Sequence, residues 1–162
     1  MGEIKKMKRW NINAVMCREA DEEICNICNI FNKLIVNEEC VGAFTIVTFM
    51  NAIECDEEKF RLHYVMEKLD DEKKAAYLGS TLQQNCGECK EEGTATSVDG
   101  VTSVSSRLVF RKFLFPGEGD YEIKIYKYDN EEAMALEVDE WIKKLDDEHL
   151  VSTYQFAVNK KK

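Results

Sequence analysis

Phe60-Arg61-Leu62-His63-Tyr64-Val65-Met66-Glu67 puts a large apolar residue at every second position, with Arg61, His63 and Glu67 between them. A period of two belongs to a β-strand, whose successive side chains point to opposite faces, one dry and one wet. The rhythm recurs on both sides of this stretch. Trp10, Ile12, Ala14 and Met16 alternate with Asn11 and Asn13; Tyr121, Ile123 and Ile125 with Glu122 and Lys124; Tyr154, Phe156 and Val158 with Gln155 and Ala157. One dry face per strand is the antiparallel pattern.

Other stretches complete the set. Residues 41–53 are rich in Phe, Ile, Val and Thr on both faces, which predicts a central strand. Residues 24–36 alternate poorly, as a bulge or a turn near Asn32-Lys33 would make them. Residues 75–84 and 107–115 bring the expectation to about eight strands, separated by polar, acidic turns. Pro116, the single proline, lies in one such turn, Phe115-Pro116-Gly117-Glu118-Gly119-Asp120. This is the spacing of a mainly-β antiparallel sandwich rather than of βαβ units.

One segment breaks the period. Between 131 and 148, Met134, Val138, Trp141, Ile142 and Leu145 recur at steps of three and four, opposite Glu137, Glu140, Lys143, Lys144 and Asp147. That predicts an amphipathic crossover helix over 131–148, capped by Asp129 or Asn130 and covering the open end of the sandwich. Residues 85–106 differ again, being small and polar with Gly87, Gly93 and Gly100. Within them, Asp99-Gly100 between β-prone flanks signals a two-residue hairpin. Both a projecting ribbon and a disordered loop fit this composition.

Size and charge narrow the classes. The chain has 162 residues, 44% of them hydrophobic, enough for one domain (1–162) with its own core. No apolar run approaches the roughly 20 residues of a membrane span. The start, Met-Gly-Glu-Ile-Lys-Lys, lacks the apolar region of a signal peptide, and Lys6 stands where a myristoylation motif wants Ser or Thr. Seven cysteines, an odd number, then read as reduced thiols in a cytoplasmic protein. A net charge of −9 disfavours nucleic acid and anionic membranes. It favours solubility or a basic protein partner. Basic spots such as Arg107, Arg111 and Lys112 are sparse.

The sharpest chemical feature is a pair of Cys-x-x-Cys motifs, Cys25/Cys28 and Cys86/Cys89. Four thiolates would give zinc a tetrahedral site, and Gly87 suits a knuckle turn. Against this, positions i and i+3 on a strand face opposite sides. A redox role would need a helix N-terminus to lower a thiol pKa. His63 falls on the polar face of its strand, suited to solvent or a cross-strand partner, and His149 at a helix end, where it would favour the dipole. The acidic triplets 56–58, 70–72 and 146–148 lack the spacing of a calcium loop. No P-loop, nucleophile elbow or dinucleotide fingerprint is present. These residues predict a non-enzymatic binding module whose protein partner engages segment 85–106, by strand addition for example; the alternative is a zinc-thiolate-stabilised domain using Cys25, Cys28, Cys86 and Cys89. Oligomeric state stays open.

Val109-Phe110-Arg111-Lys112-Phe113-Leu114-Phe115, the glycine-rich turn and then Tyr121-Glu122-Ile123-Lys124-Ile125 resemble the closing hairpin of immunoglobulin-like sandwiches. In such a hairpin Tyr121 would lock the turn through its hydroxyl, as a corner tyrosine does. Asn13-Ala14-Val15-Met16-Cys17, followed by an acidic turn and Cys28-Asn29-Ile30-Phe31-Asn32-Lys33-Leu34, resembles the opening of a family of uncharacterised bacterial and phage immunoglobulin-like β-sandwich proteins. Phe156 and Val158 are similar to its short closing strand. The resemblance runs from about Trp10 to Val158, and it implies a fold but no chemistry. Segment 131–148 departs from the family pattern, which joins the last two strands by a short turn.

Overall fold

Each of the alternating segments becomes a strand. The structure, a computed structural model, describes residues 10–21, 27–52, 59–81, 84–85, 95–98 and 101–162. In chain order its strands are β1 (Trp10–Ala20), β2 (Ile27–Ile30), β3 (Lys33–Val36), β4 (Val41–Ala52), β5 (Lys59–Lys68), β6 (Ala75–Ser80), β7 (Gln84–Asn85), β8 (Ala95–Val98), β9 (Val101–Leu114), β10 (Gly119–Asp129) and β11 (Leu150–Lys160). They form two sheets. A five-stranded sheet runs β2-β1-β4-β9-β8, and a six-stranded sheet runs β3-β11-β10-β5-β6 with β7 extending the β6 edge against β5. Among the described strands, β3 against β11 is the only parallel pair. The architecture is a mainly-β sandwich.

The inner faces meet as the period of two requires. Ile12, Met16, Phe44, Ile46 and Met50 of the five-stranded sheet pack on Phe60, Leu62, Tyr64, Met66, Ile123, Ile125, Phe156 and Val158 of the other. Fully burying each such side chain stabilises the fold by about 1.5–3 kcal/mol. β4 fails to alternate because it is dry on both faces: Thr45 and Val47, which point outward, are buried as well. Thr48 Oγ1 lies 2.6 Å from the Tyr64 hydroxyl, a polar link between the two sheets. Burial pushes the Tyr64 pKa up, so the hydroxyl stays protonated and the link uncharged.

Consecutive strands change sheet five times, and two of these crossings bear on the expected turns. At Phe31-Asn32, near the expected turn, the Phe31 N–H donates to Met16 O (3.0 Å) in one sheet. One residue later Asn32 O accepts from the Ala157 N–H (2.8 Å) in the other. The poor alternation of 24–36 is therefore two strands in two sheets. The other of the two is 115–118. The resemblance implied a hairpin here, but β9 and β10 belong to different sheets, so the turn is an arch over the end of the sandwich. Phe115 fills the arch, with its ring centroid 5.4 Å from Tyr121 and 4.8 Å from Phe113. The Tyr121 hydroxyl does lock the turn, donating to Gly117 O at 2.6 Å. Gly117 has φ 150°, a backbone angle that only glycine adopts without strain.

The expected long helix is instead three short pieces: a 3-10 turn (Asn130–Ala133), helix α1 (Val138–Lys144) and a second 3-10 turn (Asp147–His149). Asp129 gives no side-chain cap, because its carboxylate is taken by Lys127. The helix starts where a capping box closes, with Glu137 as N-cap and Glu140 accepting from the Glu137 N–H at 3.0 Å. Two turns cannot bury the whole predicted stripe. Trp141 is buried and Leu145 packs beneath the helix, but Met134, Val138 and Ile142 stand half exposed. The segment also joins neighbouring strands of one sheet rather than crossing between sheets. Among the described residues no helix is long and apolar enough to cross a membrane.

Candidate functional site

The helical insertion lies on the outer face of the six-stranded sheet. There Trp141, Tyr126 and Tyr128 build a second apolar layer with Val65, Tyr77, Leu136, Leu145 and Leu150. His63 points outward on β5, as the alternation predicts, yet it is fully buried, because the insertion covers it. Its ring centroid is 3.8 Å from that of Trp141 and 5.6 Å from that of Tyr128. Its cross-strand partner is the Tyr77 hydroxyl of β6, 2.7 Å from Nδ1. Burial, and then the positive charges of Arg61 and Lys144, push its pKa from 6.5 down to about 3. A covered imidazole held neutral by its packing is a wedge under the insertion and not an accessible base.

His149 differs from its expected place at a helix end. The helix stops at Lys144, and His149 closes the second 3-10 turn. Its ring stacks on Tyr128 at 4.0 Å, with Nδ1 2.7 Å from Asp146 and Nε2 3.1 Å from Glu132. Although partial burial opposes it, those two carboxylates raise its pKa. Arg61 fastens the other end of the insertion, donating to Ala133 O (3.3 Å) and Thr81 O (3.2 Å).

Three of the four thiols of the expected zinc site are not among the described residues. Cys25, Cys86 and Cys89 lie beyond the described residues, and Cys28 is exposed on β2 opposite Glu19. Among the described residues no three His, Cys, Asp or Glu side chains gather as a metal site. The acidic triplet 56–58 is likewise beyond the described residues. Asp70 serves its own turn, accepting from the Glu72 and Lys73 N–H groups (3.0 and 3.1 Å) and pairing with Lys68. Asp146 is engaged by His149.

Of segment 85–106, residues 86–94, 99 and 100 lie outside the described residues, and 95–98 with 101–106 form the margin of a sheet. Val98 pairs with Val101 and Ala95 with Val104, so the described backbone on either side of Asp99-Gly100 is registered as a two-residue hairpin. The start of β9 is also paired to the end of β4, so the hairpin is the margin of a sheet and not a free ribbon. Hydrogen-bonded and non-bonded pairs alternate along an antiparallel ladder, and the pair closing a two-residue turn is bonded. Thr96 and Val98 therefore donate inward to β9, and the N–H groups of Ala95 and Ser97 face the other side, where no described strand pairs with β8. The other edges are blunted. β2 and β3 have four residues each, and Asn29 in β2 takes φ 57°. β6 carries a bulge and is interrupted at Thr81, whose hydroxyl substitutes for a ladder partner by accepting from the Leu62 N–H. Ala95-Thr96-Ser97-Val98 has neither charge nor proline, the devices that usually protect an edge.

Neither the models of protein families nor the curated proteins contain a match to this chain.

Proposed function

We propose that this protein is a non-enzymatic interaction module that binds a protein partner by adding a partner strand to β8. The observation that carries the reading is the edge itself, an uncharged, proline-free strand ending the five-stranded sheet. Strand addition takes its affinity from main-chain hydrogen bonds, which such an edge offers without side-chain rearrangement. The immunoglobulin-like kinship belongs to the same reading, since scaffolds of that kind carry their function in loops and edges rather than in the core. The acidic surface suits a partner with basic residues flanking its added strand.

Ser97→Pro tests it. Proline there removes an outward N–H and leaves the inward ladder to β9 intact. Peptides selected from a display library on the wild-type protein, or partners captured from its native host, are expected to bind the variant at least about tenfold more weakly. Equal binding by Ser97→Pro, or by a chain lacking 94–104, would overturn the reading.

A further inference from the structure

Three of the five arginines in this acidic chain converge on one groove. It occupies about 1120 Å³ across β1, β4 and β9, and Arg18, Arg107 and Arg111 line it with Val109, Glu19 and Asp21. None of the three guanidiniums has an ion-pair partner among the described residues, although carboxylates outnumber cations in the chain 31 to 22. Arg107 is held in place: it reaches across β4 and donates to Ala20 O at 2.6 Å. Arg18 and Arg111 are exposed. Clustered cations repel one another where no carboxylate of the described residues pairs with them, and a bound anion would relieve that repulsion.

The local backbone sets the pattern. Val109 pairs with Thr45, so Arg107 and Val109 share the outward face of β9. Beyond them the register shifts, since Phe110 pairs with Phe44 but Phe113 with Gly42. That irregularity leaves Arg111 and Lys112 both on the exposed side. The outward surface of β9 thus reads cation, half-exposed valine, cation, over roughly 10–13 Å of strand. The groove is too large and open to enclose a small anion, being at or beyond the upper end of small-ligand sites of about 300–1,000 Å³.

We infer that this groove binds an extended acidic peptide that presents carboxylate, apolar side chain and carboxylate in turn along one face. Carboxylates at i and i+4 meet Arg111 and Arg107, and the apolar side chain at i+2 rests on Val109. Arg18 receives a further carboxylate on the β1 side, where the neighbouring Glu19 disfavours a ligand of uniform, dense negative charge. Planar guanidinium forks bind carboxylates in bidentate pairs, which gives the contact direction as well as affinity. The site is independent of the β8 edge.

The test is titration of fluorescein-labelled Glu-Ser-Val-Ser-Glu-Ser-Val-Ser-Glu-Ser-Val-Ser-Glu, which sets valine midway between successive glutamates on one face of the extended chain, at low and high salt. Saturable binding is expected, weakening with salt, and about tenfold weaker in Arg18→Glu and in Arg111→Glu, the size of one lost charge-assisted pair. Both variants should melt within a few degrees of wild type, because both side chains are exposed, and Arg111→Gln repeats the test without introducing a charge. Ser97→Pro should bind this peptide like wild type, which separates the groove from the edge. Absence of saturable binding would overturn the proposal. So would undiminished binding in the reversed variants, or equal binding of inorganic phosphate or of a peptide with its four glutamates in one block.

Discussion

The two outer faces of this sandwich begin from similar sequence and end in opposite states. β5 turns Arg61, His63 and Val65 outward, and β9 turns Arg107 and Val109 outward. Both read as wet faces. On the six-stranded sheet, residues 130–149 fold back and bury His63 beside Trp141. On the five-stranded sheet Val109 is left 49% exposed and a broad groove stays open. An outward position is therefore polar-compatible, not solvent-bound. What covers it is decided elsewhere in the chain.

The largest expected difference between the faces comes from emptying the covered one. Trp141→Ala removes a buried indole from between His63 and Tyr128, and should cost about 3–5 kcal/mol in urea-induced unfolding. A loss under 1 kcal/mol would mean that the insertion contributes no more than a surface loop.

Acid should separate the faces next. As pH falls, the unfolded chain protonates His63 near 6.5, whereas the folded protein resists to about 3. The stability this group contributes is thus complete above 6.5 and is lost as pH falls toward 3, with a slope of at most about 1.4 kcal/mol per pH unit. His63→Phe should flatten that limb of the stability–pH curve; an unchanged limb would place the acid sensitivity elsewhere.

On the open face, Arg107→Ala loses one charged hydrogen bond to Ala20 O and should cost only about 1–2 kcal/mol by the same urea measurement. His149 is expected to give the smallest effect. Its pKa is raised, so its pairing with Asp146 and Glu132 stabilises fully below 6.5 and fades as pH rises through the raised value. His149→Ala should lose less than about 1 kcal/mol at pH 6, and still less at pH 9.

Much of the core was legible because burial imposes its period directly. Ile12, Phe60, Leu62, Tyr64, Ile123, Ile125, Phe156 and Val158 are all buried where alternation puts them. The pairing of Val98 with Val101 and the lock by the Tyr121 hydroxyl were legible for a related reason, since each is a short-range geometric need met by nearby residues. The helix misled because periodicity records which residues are apolar and not how many turns a surface can cover. Met134, Val138 and Ile142 share the stripe with Trp141, yet they stay about half exposed while Trp141 is buried. The groove left only a faint trace, Arg107 and Arg111 among scattered basic residues, because Arg18 joins them through pairing across β4 and not through proximity in the chain.

Local residue order by itself determined the strands, their dry faces and the tight turns, since those depend on sterics and on water being excluded from every second side chain. Only the tertiary structure decided which strands share a sheet, that the arch at 115–118 spans two sheets, that His63 is covered and that three arginines meet. Those outcomes depend on contacts between residues far apart in the chain, such as Arg107 with Ala20, 87 positions away, and Tyr154 with Phe31, 123 positions away, and no local pattern encodes a partner that distant.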